Sequence, residues 1–164
     1  MNKSIKKNAK TQILASQSTA LKQNILMVDD HPESLHLLSQ LLSKQGYKVR
    51  PTRDGELAVK SAQKTPPDLI LLDIMMPEMN GYQICKQLKA SSKTKDIPII
   101  FISALNEVFD KVKGFSLGAV DYITKPFQEE EVVARVENQL LINRLYKQIL
   151  AQNARLEAEI EERK

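Results

Sequence analysis

Cysteine is nearly absent from this sequence, since Cys85 is the only one in 164 residues. A single cysteine excludes a disulfide within the chain and fits a reducing compartment. Cys85 shares helical spacing with Gly81, Ile84 and Leu88, which places it on an apolar face. The pattern therefore predicts a buried thiol that packs rather than reacts.

Long apolar runs are also missing. No stretch approaches the roughly 18 apolar residues that a membrane-spanning helix needs. Near the N-terminus the apolar patch is only Ile13-Leu14-Ala15, which is too short for the core of a secretory signal. We therefore expect a cytoplasmic protein without a membrane partner.

Positive charge is scarce outside the N-terminal segment. The formal net charge is +4, but five of the 24 basic side chains, and no acid, fall in residues 1–23, which leaves 19 basic and 20 acidic side chains. A nearly neutral remainder without a basic stripe argues against nucleic-acid binding through this part of the protein. Residues 1–22 are rich in serine, glutamine and lysine, and we expect them to form a disordered basic tail.

The sequence does contain a regular alternation of short apolar runs and helical patterns. Strands are predicted at 24–28, 47–51, 69–72, 97–103 and 119–124. Helices are predicted at 33–45, 53–64, 82–90 and 106–116, with Asp54 as a possible N-cap and Gly46 at a C-terminal end. Strands that alternate with helices require a parallel sheet covered on both faces. The predicted fold class is therefore α/β, with a doubly wound sheet of five parallel strands.

Polar side chains stand at the carboxyl ends of four of these strands. They are Asp29 and Asp30 after the first, Asp73 after the third, Ser103 at the end of the fourth and Lys125 after the fifth. Taken singly, an acid pair can cap a helix, a serine can begin a turn and a lysine can be solvated. Ligands of such sheets bind beyond the carboxyl ends of the strands, so five polar groups at that edge favour a functional site.

The three acids of this set predict a site for a divalent cation. Three neighbouring carboxylates repel one another, and a hard ion such as Mg²⁺ both offsets that repulsion and keeps positions for water and a phosphoryl oxygen. One carboxylate can then attack a phosphoryl group and form an acyl phosphate. Lys125 can neutralise one phosphoryl oxygen, and the Ser103 hydroxyl can donate to another.

Four segments of the chain resemble the receiver domains of two-component response regulators. They read MVDDHP, LLDIMMPEMNGY, IIFISA and DYITKPF, and the resemblance covers about residues 24–142. It implies a flavodoxin-like (CheY-like) sheet with strand order 2-1-3-4-5 and a receiver domain at residues 23–142.

The same resemblance implies a role for each residue of the site. Asp73 is the phosphoacceptor, and Asp30, Asp73 and the backbone carbonyl of Met75 ligate Mg²⁺, with Asp29 acting mainly through bound water. Ser103, Ala104 and Lys125 bind the phosphoryl group, and Tyr122 is the aromatic residue of the switch. The Lys125-Pro126 peptide bond is expected to be cis.

Three further features of the sequence are assigned other roles. His31 and His36 are expected to be solvated. The Met75-Met76 pair is expected to fill an apolar gap in a loop rather than to bind a metal. By resemblance, the Met75 side chain also lines the path of the water that attacks the phosphoryl group.

Residues 128–163 contain no glycine or proline and predict one long helix. Its first apolar stripe is Val133, Val136 and Leu140, and its second is Ile142, Leu145, Ile149 and Leu156, which the polar Gln152 interrupts. The second stripe lies on the opposite side, and its spacing of three and four is typical of a coiled coil. We expect a homodimer through residues 142–160, although so few heptads also fit a solvated helix. Residues 143–164 are expected to link the receiver to an output domain beyond this sequence.

The residues and the resemblance together predict a phosphorylation-controlled relay module. The expected donor is a histidine kinase or a phosphotransfer protein, and the chain is expected to catalyse only its own phosphorylation and dephosphorylation. One alternative is a haloacid-dehalogenase-like phosphohydrolase, which needs a second acid where this chain has Met75. The other is the receiver of a DNA-binding regulator whose output domain is absent, since no helix-turn-helix pattern follows the last predicted strand.

Overall fold

The computed structural model of the protein describes residues 23–104 and 111–163. Its strands are β1 (Asn24–Val28), β2 (Lys48–Thr52), β3 (Leu69–Asp73), β4 (Ile99–Ala104) and β5 (Asp121–Lys125). They form one sheet in the order β2-β1-β3-β4-β5, and every neighbouring pair is parallel. The predicted fold class and strand order are therefore confirmed.

Helices cover both faces of this sheet. They are α1 (Pro32–Lys44), α2 (Gly55–Lys64), α3 (Gly81–Ala90), α4 (Lys111–Ser116) and α5 (Glu129–Glu162). Buried side chains of α1 and α5 form one apolar cluster with the sheet, and those of α2 and α3, including Cys85, form the other. Neighbouring residues of a strand point to opposite faces, and both faces of β3 are covered, so the whole strand is buried and its residues 69–72 are all apolar. The buried position predicted for Cys85 is confirmed.

Local signals in the sequence set the helix ends. The Asp54 side chain accepts a hydrogen bond of 3.1 Å from the Leu57 N–H, which confirms the predicted N-cap of α2. Gly46 follows the end of α1 with a φ of 95°, a conformation that glycine adopts at little cost. Asn80 and Gln83 form a reciprocal capping box at the start of α3, which the sequence analysis did not predict.

Three strands begin later than predicted, β2 by one residue and β4 and β5 by two residues each. β4 begins at Ile99, because the N–H of Ile97 closes a turn onto the Thr94 carbonyl at 3.1 Å. β5 begins at Asp121, because the Ala119 N–H is bonded back toward α4. Residues 106–110 of the predicted fourth helix, and the predicted tail at 1–22, lie outside the described residues.

Helix α5 is continuous over 34 residues, as predicted. Its buried residues are Val132, Val136 and Leu140, and Val133 packs against the same cluster but is only partly buried, so the predicted stripe omitted Val132. Spacings of three and four both fit 3.6 residues per turn, and the apolar residues alone could not decide between them.

Beyond Leu140 the apolar side chains of α5 are exposed. They are Leu141, Ile142, Leu145, Tyr146, Ile149, Leu150, Leu156 and Ile160. In the described part of the chain, no helix has the length and apolar character that crossing a membrane requires.

Candidate functional site

The parallel strands bring the predicted site residues to one edge of the sheet. Asp29 directly follows β1, Asp73 is the last residue of β3, Ser103 and Ala104 end β4, and Lys125 ends β5. In the sheet register Ala104 lies opposite Lys125. Ser103 is buried, and Ala104 is half-buried. The fold thus confirms that these residues share one edge of the sheet.

Lys125 reaches back over the acids. Its Nζ lies 2.9 Å from Asp29 Oδ2 and 3.8 Å from Asp73 Oδ2. The peptide bond between Lys125 and Pro126 is cis, as the resemblance implied. The ammonium group therefore pairs closely with Asp29 and less closely with Asp73.

The two buried carboxyl groups have pKa values that are shifted in opposite directions. The Asp73 side chain is 3% exposed; burial, followed by the negative charge of Asp29, raises the pKa of Asp73 to about 7. Burial also acts to raise the pKa of Asp29, but hydrogen bonds from the His31 backbone and Lys125, with the charge of Lys125, hold it below its ordinary value. Without a metal, a proton near neutral pH is therefore held by Asp73 rather than by Asp29.

His31 lies at this cluster, where the sequence analysis expected a solvated side chain. Its Nδ1 is 3.0 Å from Asp29 Oδ1, 3.1 Å from Asp30 Oδ1 and 3.7 Å from Asp73 Oδ2. The side chain is still 57% exposed, so the ring covers the mouth of the cluster. The hydrogen bond to Asp29 raises the pKa of His31. The assignment of His31 to a purely solvated role was therefore wrong; His36 is exposed on α1, as expected.

The cluster has the composition of a cation site. One donor atom from each of Asp29, Asp30, His31 and Asp73 lies within 4.8 Å of the others. Asp73 Oδ2 is buried and has no hydrogen-bond partner among the residues that the structure describes. A buried carboxylate oxygen without a donor is unfavourable, and a cation at this position would remove that cost. The three carboxylates are hard oxygen donors, so the set fits Mg²⁺.

Open space lies on both sides of the acids. A cavity of about 550 Å³ is lined by His31, Pro32, Glu33, Ser34, Ala104 and Lys125. Another of about 510 Å³ is lined by Asp30, Arg53, Asp54, Gly55, Glu56, Met76, Pro77, Glu78 and Met79. The Met75 side chain is exposed, whereas Met76 packs against the apolar cluster of α2 and α3. Both methionines were expected to fill an apolar gap, but only Met76 does so.

Tyr122 belongs to β5, and its ring contacts one aromatic and one charged side chain. Its ring contacts Phe115 edge to face, with centroids 6.4 Å apart. The guanidinium carbon of Arg135 lies 5.4 Å from the centre of the same ring. Arg135 also donates to Asp121 at 2.7 Å and to Glu131 at 3.1 Å. The side chain expected to act as a switch is thus linked directly to helix α5.

Gly81 supports the site and was not recognised as a site residue from the sequence. Its N–H donates to the Ile74 carbonyl at 2.7 Å. A Cβ at this position would lie 2.5 Å from the Asp73 carbonyl oxygen and 2.7 Å from Ile74 Cα. Only glycine lets α3 approach the end of β3 this closely. The Asn80-Gly81 pair that ends the loop was the available signal.

Comparison with known proteins identifies relatives of this architecture. The family described as the response regulator receiver domain matches residues 25–137. The alkaline phosphatase synthesis transcriptional regulatory protein PhoP of Bacillus subtilis is 45% identical over 117 residues, which are 71% of this chain and 48% of that protein. A probable cyclic di-GMP phosphodiesterase of Vibrio cholerae is 40% identical over 136 residues, which are 83% of this chain and 31% of that protein.

Solved structures give the same result. The chemotaxis protein CheY4 of Vibrio cholerae matches with a TM-score of 0.67 and 30% identity, over 71% of this chain and 98% of that one. The matched region spans about half the length of the Bacillus relative and about a third of the Vibrio phosphodiesterase.

Proposed function

We propose, on the premise that the chain belongs to the response regulator receiver domain family, that Asp73 accepts a phosphoryl group from a phosphohistidine donor. The observation that carries the proposal is the state of the Asp73 carboxyl group. It is 3% exposed, and its Oδ2 atom lacks a hydrogen-bond partner among the described residues and lies 3.8 Å from an ammonium group.

The transfer requires an ionised acceptor. An oxygen of Asp73 forms a bond to phosphorus while the phosphorus–nitrogen bond of the donor histidine breaks, and the imidazole keeps the electron pair. Asp30, Asp73 and the Met75 carbonyl would hold Mg²⁺, with Asp29 contributing through water. When bound, the ion supplies the positive charge that keeps the three carboxylates ionised and offsets the charge of the incoming group.

Lys125 and Ser103 would hold the transferred group. The Lys125 ammonium needs only a small displacement from Asp29 toward Asp73 to contact a phosphoryl oxygen, since it lies 3.8 Å from Asp73 Oδ2. Ser103 and Ala104 end the neighbouring strand, so the Ser103 hydroxyl can donate to a second oxygen. These contacts form only with the phosphoryl group, which makes them a source of conformational bias.

The response would leave the site through Tyr122. Ser103 moves toward the phosphoryl group, and the Tyr122 ring turns into the space beside β4. That movement changes the contact between the ring and Arg135, which lies on α5 and is paired with Asp121 and Glu131. Helix α5 would then carry the change toward an output domain.

The proposal includes an output domain but does not assign it a specific activity. One relative is named for transcriptional regulation and the other for cyclic di-GMP hydrolysis, yet each matches most of this chain. We therefore assign signal input to the shared region and propose that a separate domain delivers the output, with two chains paired through residues 142–160. A haloacid-dehalogenase-like phosphohydrolase is not favoured, because Met75 stands where that chemistry needs an acid.

Phosphorylation by a small donor tests the proposed function. The protein is incubated with acetyl phosphate and Mg²⁺, and intact-mass spectrometry measures the fraction that gains one phosphoryl group. We expect phosphorylation of the wild type and of Asp54→Asn, an exposed acid-to-amide control, and none with a chelator or in Asp73→Asn. Undiminished phosphorylation of Asp73→Asn would contradict the proposal.

A further inference from the structure

The position of His31 is fixed by the backbone at the start of α1. Its N–H donates to Asp29 Oδ1 at 3.0 Å, and it is the N-cap residue directly before Pro32. Proline at the first helical position restricts the backbone that carries the ring. The imidazole is therefore held beside the acids by the same turn that positions Asp29.

The distances around Nδ1 match those between neighbouring ligands of one metal ion. Two donor atoms at right angles, each about 2.1 Å from an ion, lie roughly 3 Å apart. Nδ1 lies 3.1 Å from Asp30 Oδ1 and 3.7 Å from Asp73 Oδ2, the two carboxylates proposed as direct ligands, and its 3.0 Å contact with Asp29 Oδ1 is a hydrogen bond. The nitrogen therefore occupies a place in the donor set rather than a place outside it.

A second observation marks the same centre as a ligand site. The Asp73 side chain is 97% buried, its exposed fraction being 3%, and its Oδ2 atom lacks a hydrogen-bond partner within the described ranges. That oxygen lies 3.7 Å from His31 Nδ1, and one donor atom from each of Asp29, Asp30, His31 and Asp73 lies within 4.8 Å of the others. The acids alone would suit Mg²⁺, whereas an imidazole nitrogen is a better ligand for transition metals.

We propose that His31 Nδ1 is a direct ligand of the divalent ion, and that it shifts the preference of this site from Mg²⁺ toward Co²⁺ and Ni²⁺. The inference rests on the metal site of the proposed function and adds a ligand and a selectivity to it. The imidazole binds in its neutral form through Nδ1, and Nε2 carries the proton and faces solvent. A site that binds two kinds of ion would be loaded according to their free concentrations.

Metal titrations of matched histidine variants test the selectivity. Calorimetry gives dissociation constants for Ni²⁺ and Mg²⁺ with the wild type, His31→Asn and His36→Asn. Asparagine is a favourable N-cap residue, so His31→Asn keeps the start of α1 intact. Loss of an outer-shell partner costs about 10–100-fold in metal affinity, so we expect loss of a direct ligand to lower the Ni²⁺/Mg²⁺ preference by at least about tenfold. His36→Asn should retain the wild-type preference.

Pulsed EPR of the Mn²⁺-loaded protein tests the bond itself. The sequence has two histidines, so a ¹⁴N coupling that persists in His36→Asn and disappears in His31→Asn assigns the ligand. Tighter binding of every ion by His31→Asn, without a ¹⁴N coupling in the wild type, would show that the ring occupies the site and leaves when metal binds. That result would overturn this inference and leave the proposed function standing. Unchanged Mn²⁺ binding in Asp30→Asn and Asp73→Asn would overturn both.

Discussion

Lys125 Nζ lies 2.9 Å from Asp29 Oδ2 and 3.8 Å from Asp73 Oδ2. The Lys125 ammonium group thus pairs more closely with Asp29 than with Asp73, the proposed phosphoryl acceptor. Asp29 keeps a lowered pKa, while burial and the charge of Asp29 raise the pKa of Asp73 to about 7. Ionisation of the Asp73 carboxyl group is consequently unfavourable without a bound cation, so it depends on metal binding.

Replacing Asp73 by Asn should stabilise the metal-free protein near neutral pH. The pKa of Asp73 is about 7 in the folded protein and 3.8 ordinarily. Between these values the folded state holds a proton that the unfolded state has lost, so wild-type stability falls as pH rises through this window. At about pH 8, with a chelator, we expect Asp73→Asn to raise the free energy of unfolding by about 1–3 kcal/mol.

Urea unfolding at several pH values measures this effect. The gain from Asp73→Asn should shrink toward zero below the ordinary aspartate pKa, because Asp73 is then protonated in both the folded and the unfolded state. Asp54→Asn is the control, since that residue is exposed and asparagine caps helices as well as aspartate does. Equal stabilities of the wild type and Asp73→Asn above neutral pH would contradict the burial argument.

Replacing Lys125 by Ala should separate metal binding from phosphoryl binding. The three acids remain, so the ion still binds, but the anion loses its ammonium partner. A charge-assisted hydrogen bond contributes about 1.5–3 kcal/mol, so beryllofluoride, a phosphoryl analogue, should bind at least about tenfold more weakly. NMR titration in Mg²⁺ measures this affinity, with the exposed Lys86→Ala as control. Unchanged affinity in Lys125→Ala would show that the ammonium group does not contact the anion.

A Cβ at Gly81 should damage the end of β3. In Gly81→Ala the new atom would lie 2.5 Å from the Asp73 carbonyl oxygen, so backbone must shift. Overpacking of this kind costs about 1–3 kcal/mol. Gly55→Ala is the matched control, because its Cβ would meet the end of the flexible Ile84 side chain instead. Denaturant unfolding should therefore rank Gly81→Ala well below Gly55→Ala, and a reversed order would be the contrary result.

The exposed stripe on α5 should pair two chains in parallel. Ile142, Leu145, Ile149 and Leu156 are about half exposed, and burial of this stripe against a second copy would remove apolar surface from water. In Leu145→Asp/Ile149→Asp the pair would bury unpaired charge and should dissociate to monomers. Sedimentation velocity measures the association, which we expect to be weak and to tighten with beryllofluoride.

The matched control for the exposed stripe lies on the same helix. Tyr146→Asp/Leu150→Asp changes two exposed side chains outside the stripe and should leave the dimer intact. A wild-type chain that stays monomeric at high concentration, with and without beryllofluoride, would leave the stripe without the assigned partner.

Much of this molecule follows from local patterns. The Asp54 cap, the glycine after α1 and the five apolar runs each depend on residues close in sequence, so their positions could be predicted. The edge that gathers Asp29, Asp73 and Lys125 follows from parallel topology, because all strands end on the same side.

Three features were not predicted, and the last two depend on contacts between separate elements. The His31 ring reaches the acids through a local turn, in which the His31 N–H donates to Asp29 Oδ1, and the residue pattern did not indicate this contact. Gly81 matters because α3 approaches the Asp73 backbone, a contact between separate elements. Val132 is buried more fully than Val133 because the packing of α5 sets the rotation of the helix.

Chemical trapping of the phosphoryl linkage tests the central claim most directly. Borohydride reduces an aspartyl phosphate to homoserine, and peptide mass spectrometry then identifies the residue that carried the phosphoryl group. After phosphorylation with Mg²⁺ and a phosphohistidine or small-molecule donor, we expect homoserine at position 73 and unmodified Asp29 and Asp30. Homoserine at position 29 or 30, or a phosphoryl group that survives on Asp73→Asn, would contradict the assignment of Asp73 as the acceptor.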